Sequence, residues 1–138
     1  MGLDIKKVVY YNTTVAGHAG ECSKLLSIFA AAGVNLLAYK AVPAGPGHTR
    51  FSLFPNDPSK MTAGALKAGL NLDGPYAAIL IKGYNDESGA LAGIFDKLSH
   101  ADIKVPESSG FADIRDSYGV VLYLEQNDCD KAMAVLQI

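Results

Sequence analysis

Two glycines in similar sequence surroundings are candidates for binding a small anion. Gly20 and Gly89 each stand where an amphipathic helix is predicted to begin after a loop. The first turn of a helix leaves backbone N–H groups unpaired and positively polarised, and a glycine lets an anion approach them closely. A carboxylate group placed at either position would accept several N–H hydrogen bonds, as anions at helix starts do.

Charged and polar residues near these glycines could bind a second group of the same ligand. Asp86 and Glu87 lie beside the second glycine and could bind an ammonium group. The first loop has Glu21 next to its glycine, with His18 and Asn35 as polar neighbours. A ligand that carries both a carboxylate and an ammonium group would use both kinds of contact.

The same residues also have structural explanations, and both interpretations stay open. Either glycine could serve only to permit a tight turn from strand to helix. Asp86 or Ser88 could cap the second helix. Asn35 follows a predicted helix end and could satisfy a turn.

The histidines do not indicate catalysis or a metal site. A catalytic histidine needs an orienting carboxylate and a nucleophile nearby, and the sequence around His18 offers neither. His18, His48 and His100 are scattered and lack the spacing of zinc ligands. We therefore expect neither a catalytic residue nor a metal ion.

The predicted helices belong to a duplicated segment. Gly20–Leu36 aligns without a gap with Gly89–Val105, and apolar residues recur at the same offsets in both copies. Within each copy the apolar residues are spaced i, i+3, i+4, i+7, which is one face of a helix. Each copy then continues into a short apolar run that predicts a strand.

Taken in order, the chain predicts the pattern β-α-β-β-α in each half. The predicted strands are 7–13, 34–42, 48–54, 76–82, 103–107 and 118–125, and the predicted helices are about 20–32, 57–69, 89–101 and 127–136. Asp57 and Pro58 are a typical cap and first residue of the second helix. Pro106 lies inside a predicted strand, which should therefore be an edge strand or carry a bulge.

This pattern predicts an α+β fold of two ferredoxin-like βαββαβ repeats, each an antiparallel sheet with its helices on one face. We place the domains at 1–72 and 73–138. The second half has no room for a fourth strand of its own. Either a long strand near Asn71–Lys82 serves both halves, or one sheet edge is open, which favours an oligomer because exposed edges aggregate.

Composition limits the possible classes of function. The chain has 138 residues, 49% hydrophobic and 19% charged, with a net charge of −2 and no basic cluster, so we expect no nucleic-acid partner. No apolar run is long enough to span a bilayer, and the start of the chain does not resemble a signal peptide, so we expect no membrane partner. Cys22 and Cys129 are isolated thiols, which suits a reduced, cytoplasmic protein.

The two loop–helix–strand units resemble the ACT domain, a small ligand-sensing module. The first copy carries Gly17-His18-Ala19-Gly20-Glu21 and then Ala32-Gly33-Val34-Asn35-Leu36, and the second carries Asn85-Asp86-Glu87-Ser88-Gly89 and then Ala101-Asp102-Ile103-Lys104-Val105. The resemblance covers about residues 7–136 and is greatest to free-standing tandem ACT proteins without a catalytic domain. Ala19 and Ser88 stand where the family commonly has proline, and Lys104 stands where it often has asparagine.

The resemblance implies a non-catalytic regulatory protein that binds a small amino acid or related metabolite and needs no cofactor. In that family the effector lies between two domains, contacting the loop of one and the second strand of the other. This implies ligand contacts at Gly17–Glu21 and Asn85–Gly89, and at Asn35, Leu36, Lys104 and Val105. A homodimer and a regulated enzyme are the implied partners.

Two other functions were weighed against ligand sensing. A dimerising interaction module, which docks on an enzyme or regulator without an effector, is favoured by the departures from the family pattern. A small ester hydrolase of this fold would need a fixed arginine in an anion-binding loop, and Arg50 and Arg115 are far from both glycine loops in sequence. We therefore expect that the chain is not an enzyme.

Overall fold

A computed structural model describes residues 3–17, 19–84, 89–113 and 117–137. These residues form six strands, four α-helices and one 3-10 turn. The elements are β1 (Leu3–Ala16), α1 (Ala19–Ala31), β2 (Leu36–Pro43), β3 (His48–Pro55), α2 (Pro58–Ala68), β4 (Asp73–Tyr84), α3 (Ala90–His100), β5 (Glu107–Ala112), β6 (Ser117–Tyr123), the 3-10 turn (Gln126–Asp128) and α4 (Cys129–Leu136). The predicted α+β class is confirmed.

The chain divides into two compact units. The inserted unit is Val9–Tyr76, and the outer unit joins residues 1–8 to residues 77–138. The division falls inside β1 and inside β4, so each of these long strands contributes one part to each unit. The predicted domain bounds, 1–72 and 73–138, differ from these units chiefly in placing residues 1–8 with the first half, and they stay a prediction.

The inserted unit is a complete βαββαβ fold with the strand order β2-β3-β1-β4. β3 pairs antiparallel with both β1 and β2. One core forms between the strands and α1 and α2. Its buried residues are Tyr11, Leu25, Phe29, Val34, Phe51, Leu53, Met61 and Ala65. The apolar spacing seen in the sequence therefore places Leu25 and Phe29 in this core.

The outer unit has the same fold, with the strand order β1-β4-β6-β5. Its buried core joins β4 and β6 to α3 and α4 and includes Ile79, Ile94, Leu98 and Leu122. Ile5, in the first part of β1, packs against this core. The beginning of the chain thus supplies the fourth strand that the second half lacked. The predicted long strand that serves both halves is β4.

The duplication is visible in the way α1 and α3 end. The N–H of Val34 donates to the carbonyl of Phe29 at 2.9 Å, and the N–H of Ile103 donates to the carbonyl of Leu98 at 2.9 Å. The residue before each donor has a left-handed backbone, with φ of 82° at Gly33 and 57° at Asp102. Both helices therefore end in the same type of motif, and Asp102 adopts a conformation that favours glycine.

The predicted strand at 103–107 is wrong in its bounds. Residues 103–106 form no strand, and β5 begins at Glu107, directly after Pro106. Proline has no N–H to donate to a strand ladder, so pairing starts after it. The prediction that this strand lies at an edge is correct, since β5 ends the strand order.

No helix among the described residues is long and apolar enough to cross a membrane.

Candidate functional site

The first predicted anion site is built by the end of β1 and the first turn of α1. Gly17 has φ of 114°, and its N–H donates to the carbonyl of Gly47 at 2.9 Å. A side chain on Gly17 would also meet the Cγ atom of Glu21 at 3.0 Å. Gly17 is therefore the glycine that the turn requires, on grounds of both backbone conformation and space.

Gly20 lies inside the first turn of α1, which begins at Ala19, and is exposed. A Cβ atom at Gly20 would meet nothing within 4 Å, and its φ is not in the left-handed region. The fold does not require glycine here. The tight turn is made at Gly17 instead, and the role of Gly20 in binding a ligand stays a prediction.

The second predicted anion site begins at Gly89. This residue has φ of 90° and is the N-cap of α3, and no side chain of a described residue caps the helix there. A Cβ atom at Gly89 would also meet nothing within 4 Å. Although Gly20 and Gly89 align in sequence, Gly20 is a helical residue and Gly89 precedes its helix. The two sites therefore differ in their backbone.

The strand predicted to contact ligand in the inserted unit is held at its start by Asn56. The Oδ1 atom of Asn56 accepts from the N–H of Asn35 at 3.0 Å, and the N–H of Asn56 donates to the carbonyl of Asn35 at 2.8 Å. Asn35 is exposed, and Leu36, the first residue of β2, is half-buried against the core. The sequence analysis did not predict that Asn56 contacts Asn35. The only sequence feature that could have indicated this contact was the position of Asn56 directly before Asp57, the cap of α2.

The equivalent positions of the outer unit lie outside any strand, contrary to the prediction. Lys104 is exposed and Val105 is half-buried against the outer core, and both precede β5. The strand start that presents Asn35 and Leu36 therefore has no counterpart at Lys104 and Val105.

Some predicted site residues lie outside the described residues. These are His18, Asn85, Asp86, Glu87 and Ser88.

Within each unit, the helix start and the second strand are far apart. α1 ends at Ala31, so at about 1.5 Å per residue it separates Gly20 from the helix end that precedes Asn35 by about 16 Å. α3 has 11 residues and separates Gly89 from Lys104 by about 16 Å in the same way. A small amino acid cannot contact both ends of one helix. A site that uses both kinds of residue therefore needs two domains.

The clear pKa shifts of the described residues fall outside the predicted site. A hydrogen bond from Tyr76 to the Asp73 carboxylate, at 2.7 Å, raises the pKa of the Tyr76 phenol. Burial raises the pKa of the Cys129 thiol, and the Asp130 carboxylate, 2.8 Å from the ammonium group of Lys7, raises the pKa of Lys7. No group of three or more His, Cys, Asp or Glu residues in the described part of the chain could hold a metal ion.

No protein-family model matches the sequence, and no curated protein matches it either.

Solved structures do match the fold. Protein BT0572 from Bacteroides thetaiotaomicron has a TM-score of 0.80 at 18% identity, with 96% of this chain and 88% of that chain covered. The ligand-free regulatory subunit of aspartate kinase from Thermus thermophilus has a TM-score of 0.65 at 11% identity, with 99% and 95% covered. A putative C-terminal regulatory domain of aspartate kinase from Porphyromonas gingivalis W83 has a TM-score of 0.56 at 15% identity, with 98% and 94% covered.

The fold and these neighbours agree on the architecture, which is two βαββαβ units. The predicted tandem ACT-type fold is thereby confirmed. At identities below one fifth, the likeness establishes the architecture and leaves the ligand to experiment.

Proposed function

We propose that this chain is a non-catalytic regulatory protein that binds a small amino acid or related metabolite through its ACT-type domains. The observation that carries the proposal is the match to a regulatory subunit of aspartate kinase over 99% of this chain and 95% of that one. Because nearly the whole of both chains is covered, the likeness extends to a complete regulatory subunit.

The proposed site combines two kinds of contact from different ACT-type domains. The N–H groups at the start of α1, with Gly17, Gly20 and Glu21, bind the carboxylate and ammonium groups of the effector. Asn35 and Leu36 of another domain close the site. The separation of about 16 Å along α1 supports this division, since one unit cannot supply both contacts.

Binding is tested first by thermal melting of the full chain with the standard amino acids, each added singly at saturating concentration. A ligand that binds only the folded protein raises Tm, and a ligand present at about 100 times its Kd stabilises by about 2.7 kcal/mol. The proposal predicts a rise with a small subset of amino acids. No rise with any of them would exclude an amino acid effector.

The position of the site is tested with Gly20→Ala. The new methyl group lies in open space within a helix, so the unliganded variant should be about 0.5–1 kcal/mol more stable than wild type. The same methyl group should lower the affinity for the amino acid by about tenfold or more, because it blocks close approach to the helix start. Gly93→Ala in α3, which also lies in open space, is the matched control and should keep wild-type affinity.

The proposal extends to the assembly and its partners. We propose a homodimer, a cytoplasmic location and a regulated enzyme as the target. Sedimentation velocity with and without the amino acid that raises Tm measures the assembly state, and a ligand-dependent change would show that the site is shared between two chains.

A second candidate is an interaction module that docks on a partner without an effector. Large apolar side chains that are unusually exposed favour it, since Tyr39 is 66% and Phe111 is 74% exposed. Capture of one enzyme from the native host, with recovery unchanged by amino acids, would support this candidate over ligand sensing.

A further inference from the structure

The start of β2 is held to β3 by a backbone hydrogen bond at Asn35. Leu36, the first residue of β2, pairs with Pro55, and the N–H of Asn56, the next residue, donates to the carbonyl of Asn35 at 2.8 Å. The pairing is irregular between Leu36 and Ala38. The chain therefore enters β2 at Asn35, directly beside an irregularity of the ladder.

The side chain of Asn56 adds a second hydrogen bond to the Asn35 backbone. Asn56 brackets the Asn35 backbone, accepting from its N–H at 3.0 Å through the side chain and donating to its carbonyl at 2.8 Å through the main chain. Asp57, the next residue, accepts from the N–H groups of Ser59 and Lys60 and so caps α2. The cap and the bracket on Asn35 are separate sets of hydrogen bonds.

We infer that Asn56 is a positioning residue for the effector, acting through Asn35 and Leu36; this inference rests on the proposed function. The bracket occupies the backbone of Asn35 and leaves its side-chain amide exposed, with no hydrogen bond to the described residues. A fixed backbone with a free amide is the arrangement that a polar ligand contact needs, because less freedom is lost on binding.

The described residues of the outer unit do not form the same bracket. There Gln126 makes the comparable bracket, but it binds the backbone of Ala77 in β4, at 2.6 Å and 3.1 Å. Residues 103–106 form no strand. The strand contact to the effector therefore comes from the inserted unit, and Lys104 and Val105 do not share in it.

The test compares Asn56→Leu with Asn56→Asp in the full-length chain. Leucine removes the acceptor for the Asn35 N–H, whereas aspartate keeps an oxygen at that position. The probe is the standard amino acid that gives the largest rise in wild-type Tm. We expect leucine to lower its affinity about tenfold, the upper end of the scale for one lost hydrogen bond, and aspartate to keep it within about threefold.

Two controls separate positioning from a general loss of stability. Asp57→Ala removes the α2 cap without touching Asn35, and Asn127→Leu makes the same substitution at an exposed asparagine of the outer unit. Both should keep wild-type affinity. Hydrogen exchange at the Asn35 amide, measured without ligand, should accelerate in Asn56→Leu and not in Asn56→Asp, and Asn56→Ala serves if the leucine variant does not fold.

The outcomes distinguish the inference from the proposed function. Unchanged affinity in Asn56→Leu, or equal losses in Asn56→Leu and Asp57→Ala, would overturn the positioning role and leave ligand sensing in place. Unchanged exchange at Asn35 would overturn the bracket itself. A wild-type chain that binds no amino acid would overturn both the proposed function and this role for Asn56.

Discussion

Gly83 shows at the scale of one residue how a side chain is excluded by its cross-strand partner. Gly83 in β4 pairs with Tyr118 in β6, and the Tyr118 ring covers the place that a Cβ atom would take. We expect Gly83→Ala to lower the unfolding free energy by about 1–3 kcal/mol, because the ring must leave its position. Chemical denaturation measures the change.

The cause is checked by removing the ring. In a Tyr118→Ala background the added methyl group has space. Gly83→Ala should therefore lower the unfolding free energy much less in that background than in wild type. An equal loss of unfolding free energy in the two backgrounds would show that the backbone conformation, and not the Tyr118 ring, makes glycine necessary.

Cys129 gives a residue-scale prediction for pH. The Cys129 side chain is fully buried, and burial raises the pKa of its thiol above the ordinary value of 9.0. The folded protein therefore holds this proton more tightly than the unfolded chain does. The stability that the neutral thiol confers is fully present below pH 9.0. It is lost as the pH rises through the higher pKa that the thiol has in the folded protein.

Denaturation curves collected from neutral pH to above 9.0 test this in wild type and Cys129→Ala. We expect stability to fall more steeply above 9.0 in wild type than in the variant. Lys7 and Tyr76 also titrate at high pH, but they do so in both proteins, so the difference in slope belongs to Cys129. Parallel curves would show that burial does not hold the proton.

At the scale of elements, the start of helix α2 could be predicted fully from the sequence. Asp57 has an extended backbone, its carboxylate accepts from the N–H groups of Ser59 and Lys60, and Pro58 follows at the first helical position. These signals are local in sequence. β5 was placed wrongly because its apolar run began before Pro106, and apolar character alone does not show where pairing starts.

Removal of the α2 cap should destabilise the inserted unit. We expect Asp57→Ala to lower the unfolding free energy by about 1 kcal/mol, since two N–H groups lose their acceptor. Thermal or chemical denaturation measures the loss. Ser59→Ala, which leaves the cap in place, should change stability by less than about 0.5 kcal/mol.

At the scale of the whole molecule, β1 contributes residues to two cores, and this division can be tested. Ile5 packs against the outer core and Val9, four residues later, packs against the inserted core. Ile5→Ala should therefore accelerate hydrogen exchange in the outer unit, and Val9→Ala should accelerate it in the inserted unit.

Exchange measured by mass spectrometry over peptides of α2 and α4 reads the two units separately. Acceleration in α2 after Ile5→Ala, with α4 unchanged, would contradict the assignment of residues 3–8 to the outer unit. Equal acceleration in both helices after either substitution would show that the units open together.

The sequence by itself determined the duplicated helices, the hairpin of β2 and β3, the capped start of α2 and the tandem fold, because each is encoded in short-range spacing and turn residues. Only the tertiary structure decided that Leu3–Val8 completes the outer sheet, that Asn56 holds Asn35, and that Gly83 lies under Tyr118. These features join residues 20 or more positions apart, and strand pairing at that separation depends on which partners the folded chain brings together, which no local pattern records.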